Sequence, residues 1–162
     1  MNQLFAIVTF LVFLVGCQSS STQEADANLT QAQEIYTEAM VVHDEVMPRM
    51  EEIMRLGQTI EARMDSLRQL DSVTYADTLQ QMQTVRQNLK EADEAMMQWM
   101  RGVKNVPGLE EVKTAYQDEM QIQTVDTTNI IQVQQEQKAA IEQVKQQMEN
   151  SIEEAKSLLN SE

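Results

Sequence analysis

The fold is organised around the stretch Val42-His43-Asp44-Glu45-Val46-Met47-Pro48-Arg49-Met50, which contains the only histidine of the chain. It lies inside an amphipathic pattern from about 28 to 70, in which apolar residues recur every three or four positions. This spacing predicts a long helix with one apolar face. A proline inside a helix removes a backbone hydrogen bond and clashes with the carbonyl one turn back. We therefore expect a kink or a break near Asp44.

Two more amphipathic patterns follow, at about 75–102 and 129–159, and they are nearly equal in length. A shorter apolar pattern at 109–122 predicts a connector helix between them, within 104–127. These lengths predict an all-α, up-down-up three-helix bundle of long helices with a short connector helix. The alternative is three long helices with the last one continuous from about 109 to 159.

The composition agrees with a helical domain. The 162 residues fit one domain, and only 4% are aromatic, with four glycines and two prolines, which is unusual for an all-β protein with many turns. The net charge of −14 should repel nucleic acid and anionic lipid, so we predict no nucleic-acid partner. A solvated acidic helix surface explains this charge most simply.

The N-terminus has an apolar run too short for a bilayer core, which needs roughly 20 residues. It ends in Leu14-Val15-Gly16-Cys17 and resembles the lipobox of bacterial lipoprotein precursors. The resemblance implies that residues 1–16 are a signal peptide and that Cys17, the only cysteine, carries the lipid. No Lys or Arg precedes the apolar run, which departs from the usual pattern; the alternative is an uncleaved hydrophobic helix.

A polar segment separates this cysteine from the predicted bundle domain at 28–159. We expect 17–27 to be the lipidated cysteine and a flexible tether spanning roughly 15–20 Å. Gln18 follows the cysteine. In lipoproteins of the Gram-negative type this favours the outer membrane, so we predict a lipid-anchored protein of the cell envelope.

The second sequence feature is Ala95-Met96-Met97-Gln98-Trp99-Met100, which contains the only tryptophan. Antiparallel pairing of the first two long helices places residue n opposite roughly residue 144 − n. One layer would then contain the histidine and five methionines, with Trp99 beside them. The candidate metal ligands are His43, Met47, Met50, Met96, Met97 and Met100.

This layer has two interpretations. Methionine fills irregular gaps in a core, and a proline kink creates such gaps. Alternatively, imidazole and thioether groups bind Cu(I), and the indole of Trp99 could make a cation–π contact. Haem held between His43 and a methionine is a further alternative. No cofactor is required by the first interpretation.

Motifs for catalysis are missing from the sequence. It contains no Glu-x-x-His pair, no phosphate-binding glycine loop and no Gly-x-Ser-x-Gly, and one histidine cannot form a zincin motif. Asp44 and Glu45 adjoin His43, but neighbours on a helix point about 100° apart. We therefore expect no catalytic pair there and predict that the protein is not an enzyme.

The motifs His43-Asp-Glu-Val-Met-Pro48 and Met96-Met-Gln-Trp-Met100, with the pattern of the last helix, resemble a group of small bacterial lipoproteins. The resemblance covers about 40–159 in patches and implies no activity. Relatives often have a histidine where this chain has Arg101, a departure that would remove one metal ligand.

We expect a non-enzymatic binding or structural role through helix-mediated contacts with a partner, with Cu(I) binding as the alternative. Self-association of the Gln-rich face at 132–147 is also open, although its apolar heptads are interrupted at Gln137.

Overall fold

The computed structural model describes residues 19–109 and 129–160, and the side chains of 24–109 and 129–160. Within these ranges four α-helices follow one another: α1 (Ser19–Val46), α2 (Arg49–Asp71), α3 (Ala76–Gly102) and α4 (Ile130–Asn160). Because α1 and α2 form one bent helix, the predicted all-α three-helix bundle is confirmed. The described residues contain no β-strand. The predicted connector helix falls mainly on 110–128 and lies outside the described residues.

Pro48 separates α1 from α2, as its chemistry predicts. Met47 still donates its backbone N–H to the carbonyl of His43 at 2.9 Å, in helical register. Pro48 has no N–H to donate to the carbonyl of Asp44, so the helical ladder stops at Val46 and resumes at Arg49. The bend lies where the sequence predicts it, within one turn of Asp44.

The first helix begins earlier than expected. α1 starts at Ser19 rather than near residue 28, so 19–27, predicted as part of a flexible tether, are helical. This segment contains no glycine or proline, and Gln23, Glu24, Ala25 and Ala27 are compatible with a helix. The prediction of a coil relied on the polar composition of the segment, which does not distinguish a coil from an exposed helix.

Ion pairs between helices show the direction of each element. Glu38 accepts a hydrogen bond from Lys138 at 2.6 Å, and Glu45 accepts one from Lys145 at 2.7 Å. Both pairs are 100 positions apart in sequence, so α1 and α4 are parallel and in register. α3 runs antiparallel to them, with Asn88 donating to Glu154 at 2.7 Å. The order is therefore up, down, up.

The main core lies between α2, α3, α4 and the last turns of α1. Its most buried residues are the predicted apolar rows: Ala39, Val46, Ile53, Ile60, Met64, Met82, Leu89, Ala92, Met96, Ile141, Met148, Ile152 and Ala155. A smaller cluster of Ala32, Tyr36, Val106 and Ile130 fills the region where α1 extends beyond α3. Within the described ranges, no helix combines the length and the apolar character needed to cross a membrane.

Candidate functional site

The imidazole of His43 is stacked on the indole of Trp99. Their ring centroids are 5.4 Å apart and their planes differ by 26°. Both side chains are buried, with 4% of His43 and 8% of Trp99 exposed. The contact joins the last turn of α1 to the last turn of α3, close to the register predicted from helix rise.

The histidine is oriented by its neighbour in sequence. Its Nδ1 lies 2.9 Å from Oδ1 of Asp44, whose side chain is 73% exposed. The two side chains therefore meet although they are consecutive on the helix, and the absence of a catalytic pair there stays a prediction. Nδ1 is only two bonds from Cβ, so a short carboxylate on the next residue reaches it.

The five methionines of the predicted layer fall into two groups. Met96 and Met100 are buried in the main core, at 0% and 7% exposure. Met47, Met50 and Met97 are half-buried and pack against that core. Among 24–109 and 129–160, no three His, Cys, Asp or Glu side chains are grouped closely enough to hold a metal ion.

A network of two glutamines, not predicted from the sequence, holds the end of α3. Trp99 donates its indole N–H to the backbone carbonyl of Gln137 at 2.9 Å. Gln134, which is fully buried, donates to the carbonyl of Lys104 at 3.1 Å and accepts from Gln137 at 2.7 Å. Gln137 in turn accepts a hydrogen bond from the backbone N–H of Lys104. The signal for this network in the sequence is the interruption of the apolar heptads at Gln137.

An open groove runs between α2 and α3 and has a volume of about 640 Å³. Its floor consists of five apolar side chains, Met50, Ile53, Met54, Leu89 and Met97. Met54 is 57% exposed, which is high for a large apolar side chain. Two of the candidate metal ligands, Met50 and Met97, therefore line the groove, whereas His43 does not.

Charged side chains form the two edges of this groove. Glu61 pairs with Arg86, and Lys90 pairs with Glu94 at 3.3 Å. The remaining acids at the edges, Glu51 and Asp93, make no ion pair within the described residues. Partial burial raises the pKa of Asp93, and the neighbouring carboxylate of Glu94 raises it further.

The groove offers apolar contact area and, at its edges, two carboxylates that make no ion pair within 24–109 and 129–160, an arrangement that suits the binding of a ligand. The imidazole of His43 is stacked on Trp99, which belongs to the same core cluster as Met96 and Met100. Comparison of the chain with protein-family models, with curated proteins and with solved structures found no match.

Proposed function

We propose that this protein is a lipid-anchored, non-enzymatic binding protein of the cell envelope, and that it holds a protein partner in the groove between α2 and α3. The observation that carries the proposal is the apolar floor of that groove, which the bundle leaves open to solvent. Burying apolar surface is the main driving force for association of helices in water.

The side chains of the groove are suited to this role. Three of the five floor residues are methionines, whose flexible, polarisable side chains adapt to the shape of a partner. Met54 is 57% exposed and lines the groove together with four other apolar side chains, and a contiguous exposed apolar patch of this kind is typical of an interaction site.

The anchor is the second component of the proposal. Cys17 would carry the lipid and hold the bundle at the membrane surface, most simply at the outer membrane. Replacing Cys17 with Ser should move the full-length chain from the membrane fraction to the soluble fraction of cells that produce it. An unchanged distribution would show that the chain is held at the membrane by another feature.

The groove itself is tested by site-specific photo-crosslinking in living cells. A photoreactive amino acid at position 54 should give an adduct of one defined mass. The matched control is position 41 on α1, because Val41 is 62% exposed and does not line the groove. The absence of an adduct at position 54, or the same adducts at both positions, would contradict partner binding in the groove.

The second candidate function is binding of Cu(I) at the layer of His43, Met47, Met96 and Met100. It is favoured by one observation, the buried imidazole of His43, which is stacked on Trp99 in the core that contains Met96 and Met100. Titration of the full-length chain with Cu(I) under reducing conditions should give one equivalent of tight binding. His43→Ala and Met47→Leu should abolish it, and a parallel haem titration should give no change. Failure to bind Cu(I) would assign the layer to core packing.

A further inference from the structure

We infer that the partner of the groove is a basic amphipathic helix, whose apolar side packs on the groove floor and whose lysine or arginine reaches Glu51 and Asp93. This inference rests on the proposed function and adds the chemical class of the partner.

The dimensions of the groove fit a short helix. On α2 its lining residues run from Met50 to Glu61, which corresponds to about three helical turns or roughly 17 Å. On α3 they run from Arg86 to Met97, in the opposite direction. Two antiparallel helices with an apolar valley between them are the usual receptor for the apolar side of a third helix.

Gly57 supports the close approach of such a helix. It lies in the middle of α2 and lines the groove, and a Cβ atom placed there would meet no atom within 4 Å. A glycine in the interior of an exposed helix costs roughly 0.5–1 kcal/mol relative to alanine. The core does not require this glycine, so a backbone packed close to α2 from outside gives it a purpose.

The charges of the groove favour a cation. Its two basic side chains are already neutralised, Arg86 by Glu61 and Lys90 by Glu94. The two free carboxylates stand on opposite edges, Glu51 on α2 and Asp93 on α3. The antiparallel register places them at about the same level of the groove. Burial and the neighbouring carboxylate of Glu94 raise the pKa of Asp93, and a partner cation between the two edges would offset both effects by favouring its charged form.

The sequence of the chain argues against segment 110–128 or a second copy as this basic partner. Segment 110–128 contains five acidic residues and a single lysine, and the whole chain has a net charge of −14. A second copy, or this segment, would therefore bring negative charge to an edge that is already negative. Charge complementarity selects a separate, basic partner.

The inference is tested with three synthetic helical peptides of 14 residues, measured by fluorescence anisotropy on the full-length chain in detergent. The three peptides have the same leucine face along the helix. They differ only at the positions that flank this face, which are all Lys in the first peptide, all Gln in the second and all Glu in the third. We expect the Lys peptide to bind at least tenfold more tightly than the Gln peptide, and the Glu peptide to bind most weakly. Added salt should reduce the difference between the peptides.

Substitutions in the groove separate the contribution of its charges to peptide affinity from the contribution of its apolar floor. Glu51→Gln combined with Asp93→Asn should remove the preference for Lys, while Met54→Asp should abolish binding of all three peptides. The control is Glu34→Gln combined with Asp77→Asn, which makes the same change of net charge at exposed positions outside the groove. This control should leave every affinity within about twofold.

The outcomes distinguish this inference from the proposed function. Equal binding of the Lys and Gln peptides would contradict a basic helix as the partner. Tight binding of dodecylamine, which has an apolar chain and a cation but no helix, would contradict it as well. Binding of no peptide would overturn it too, and a photo-crosslinked adduct at position 54 would then leave the proposed function standing. If no peptide binds and no photo-crosslinked adduct forms at position 54, both this inference and the proposed function are contradicted.

Discussion

The ring of His43 covers the ring of Trp99 at the level where α1 ends and α3 ends, with the centroids 5.4 Å apart. Trp99 extends the contact to α4 through its hydrogen bond to the carbonyl of Gln137. The side chain of Trp99 on α3 therefore contacts two other helices, α1 and α4, at a level just before the bend at Pro48. Four changes test how this end of the bundle and its groove are stabilised.

Trp99→Phe should lower the free energy of unfolding by about 1–3 kcal/mol. The variant keeps an aromatic ring for stacking, but it loses the indole N–H donated to Gln137 and leaves a gap in the core. Urea unfolding followed by far-UV circular dichroism measures the change, because the only tryptophan fluorescence is lost with the substitution. Tyr75→Phe, at a half-buried position, is the control. Unchanged stability of Trp99→Phe would show that the hydrogen bond contributes nothing.

Gln134→Leu should lower the free energy of unfolding by about 1–2 kcal/mol, although leucine is more apolar and similar in size. It removes one of the two amide donors to the carbonyl of Lys104, and it removes the shorter of the two hydrogen bonds that the amide of Gln137 donates. Gln135→Leu, at an exposed neighbouring position, should change stability by less than about 0.5 kcal/mol. Equal effects of the two substitutions would contradict the role of the network.

Gly57→Ala should raise the free energy of unfolding by about 0.5–1 kcal/mol, because the added methyl group enters open space and restricts the unfolded chain. Gly108→Ala should have the opposite effect. Gly108 has φ 82°, and its Cβ would lie 3.0 Å from Nε2 of Gln33. Thermal unfolding of both variants measures the contrast. A destabilised Gly57→Ala would show that the groove is narrower in solution than in this structure.

Asp93→Asn should stabilise the fold at neutral pH. A raised pKa means that the folded state binds a proton more readily than the unfolded state, so Asp93 lowers stability as pH rises above about 4 and through its folded pKa. Asparagine removes this penalty. The urea midpoint should therefore exceed that of the wild type at pH 7 and converge with it below about pH 4. A gain that persists unchanged at low pH would contradict this origin.

The main helices could be predicted because their signals are local. Apolar residues at spacings of three and four give each core-facing side, and the missing N–H of Pro48 gives the break between α1 and α2. The up-down-up order could also be predicted from helix lengths. Two helices of nearly equal length can pack side by side against the long first helix, one antiparallel and one parallel to it. The start of α1 was misplaced because a polar helix and a polar coil have similar compositions.

The groove and the glutamine network could not be predicted, because each depends on the positions of two helices relative to each other. Gln134 has a polar side chain, and it is fully buried because it donates a hydrogen bond to the carbonyl of Lys104, which lies two residues after the end of α3. Met50 and Met97 belong to the predicted layer by register, but the rotation of α2 and α3 turns them toward the groove. Rotation about a helix axis is decided by packing against all neighbours.

The helical segment that begins at Ser19 has a consequence for the lipid anchor proposed at Cys17. If Cys17 carries a lipid, a single residue would separate it from a helix of α1 and α2 that would measure about 80 Å if straight. This helix would set the distance of the groove from the membrane, because the α2 wall of the groove begins about 45 Å along it. It would also transmit a force on a proposed partner in the groove to the lipid, as a tilt of the helix, whereas a flexible tether would absorb that force.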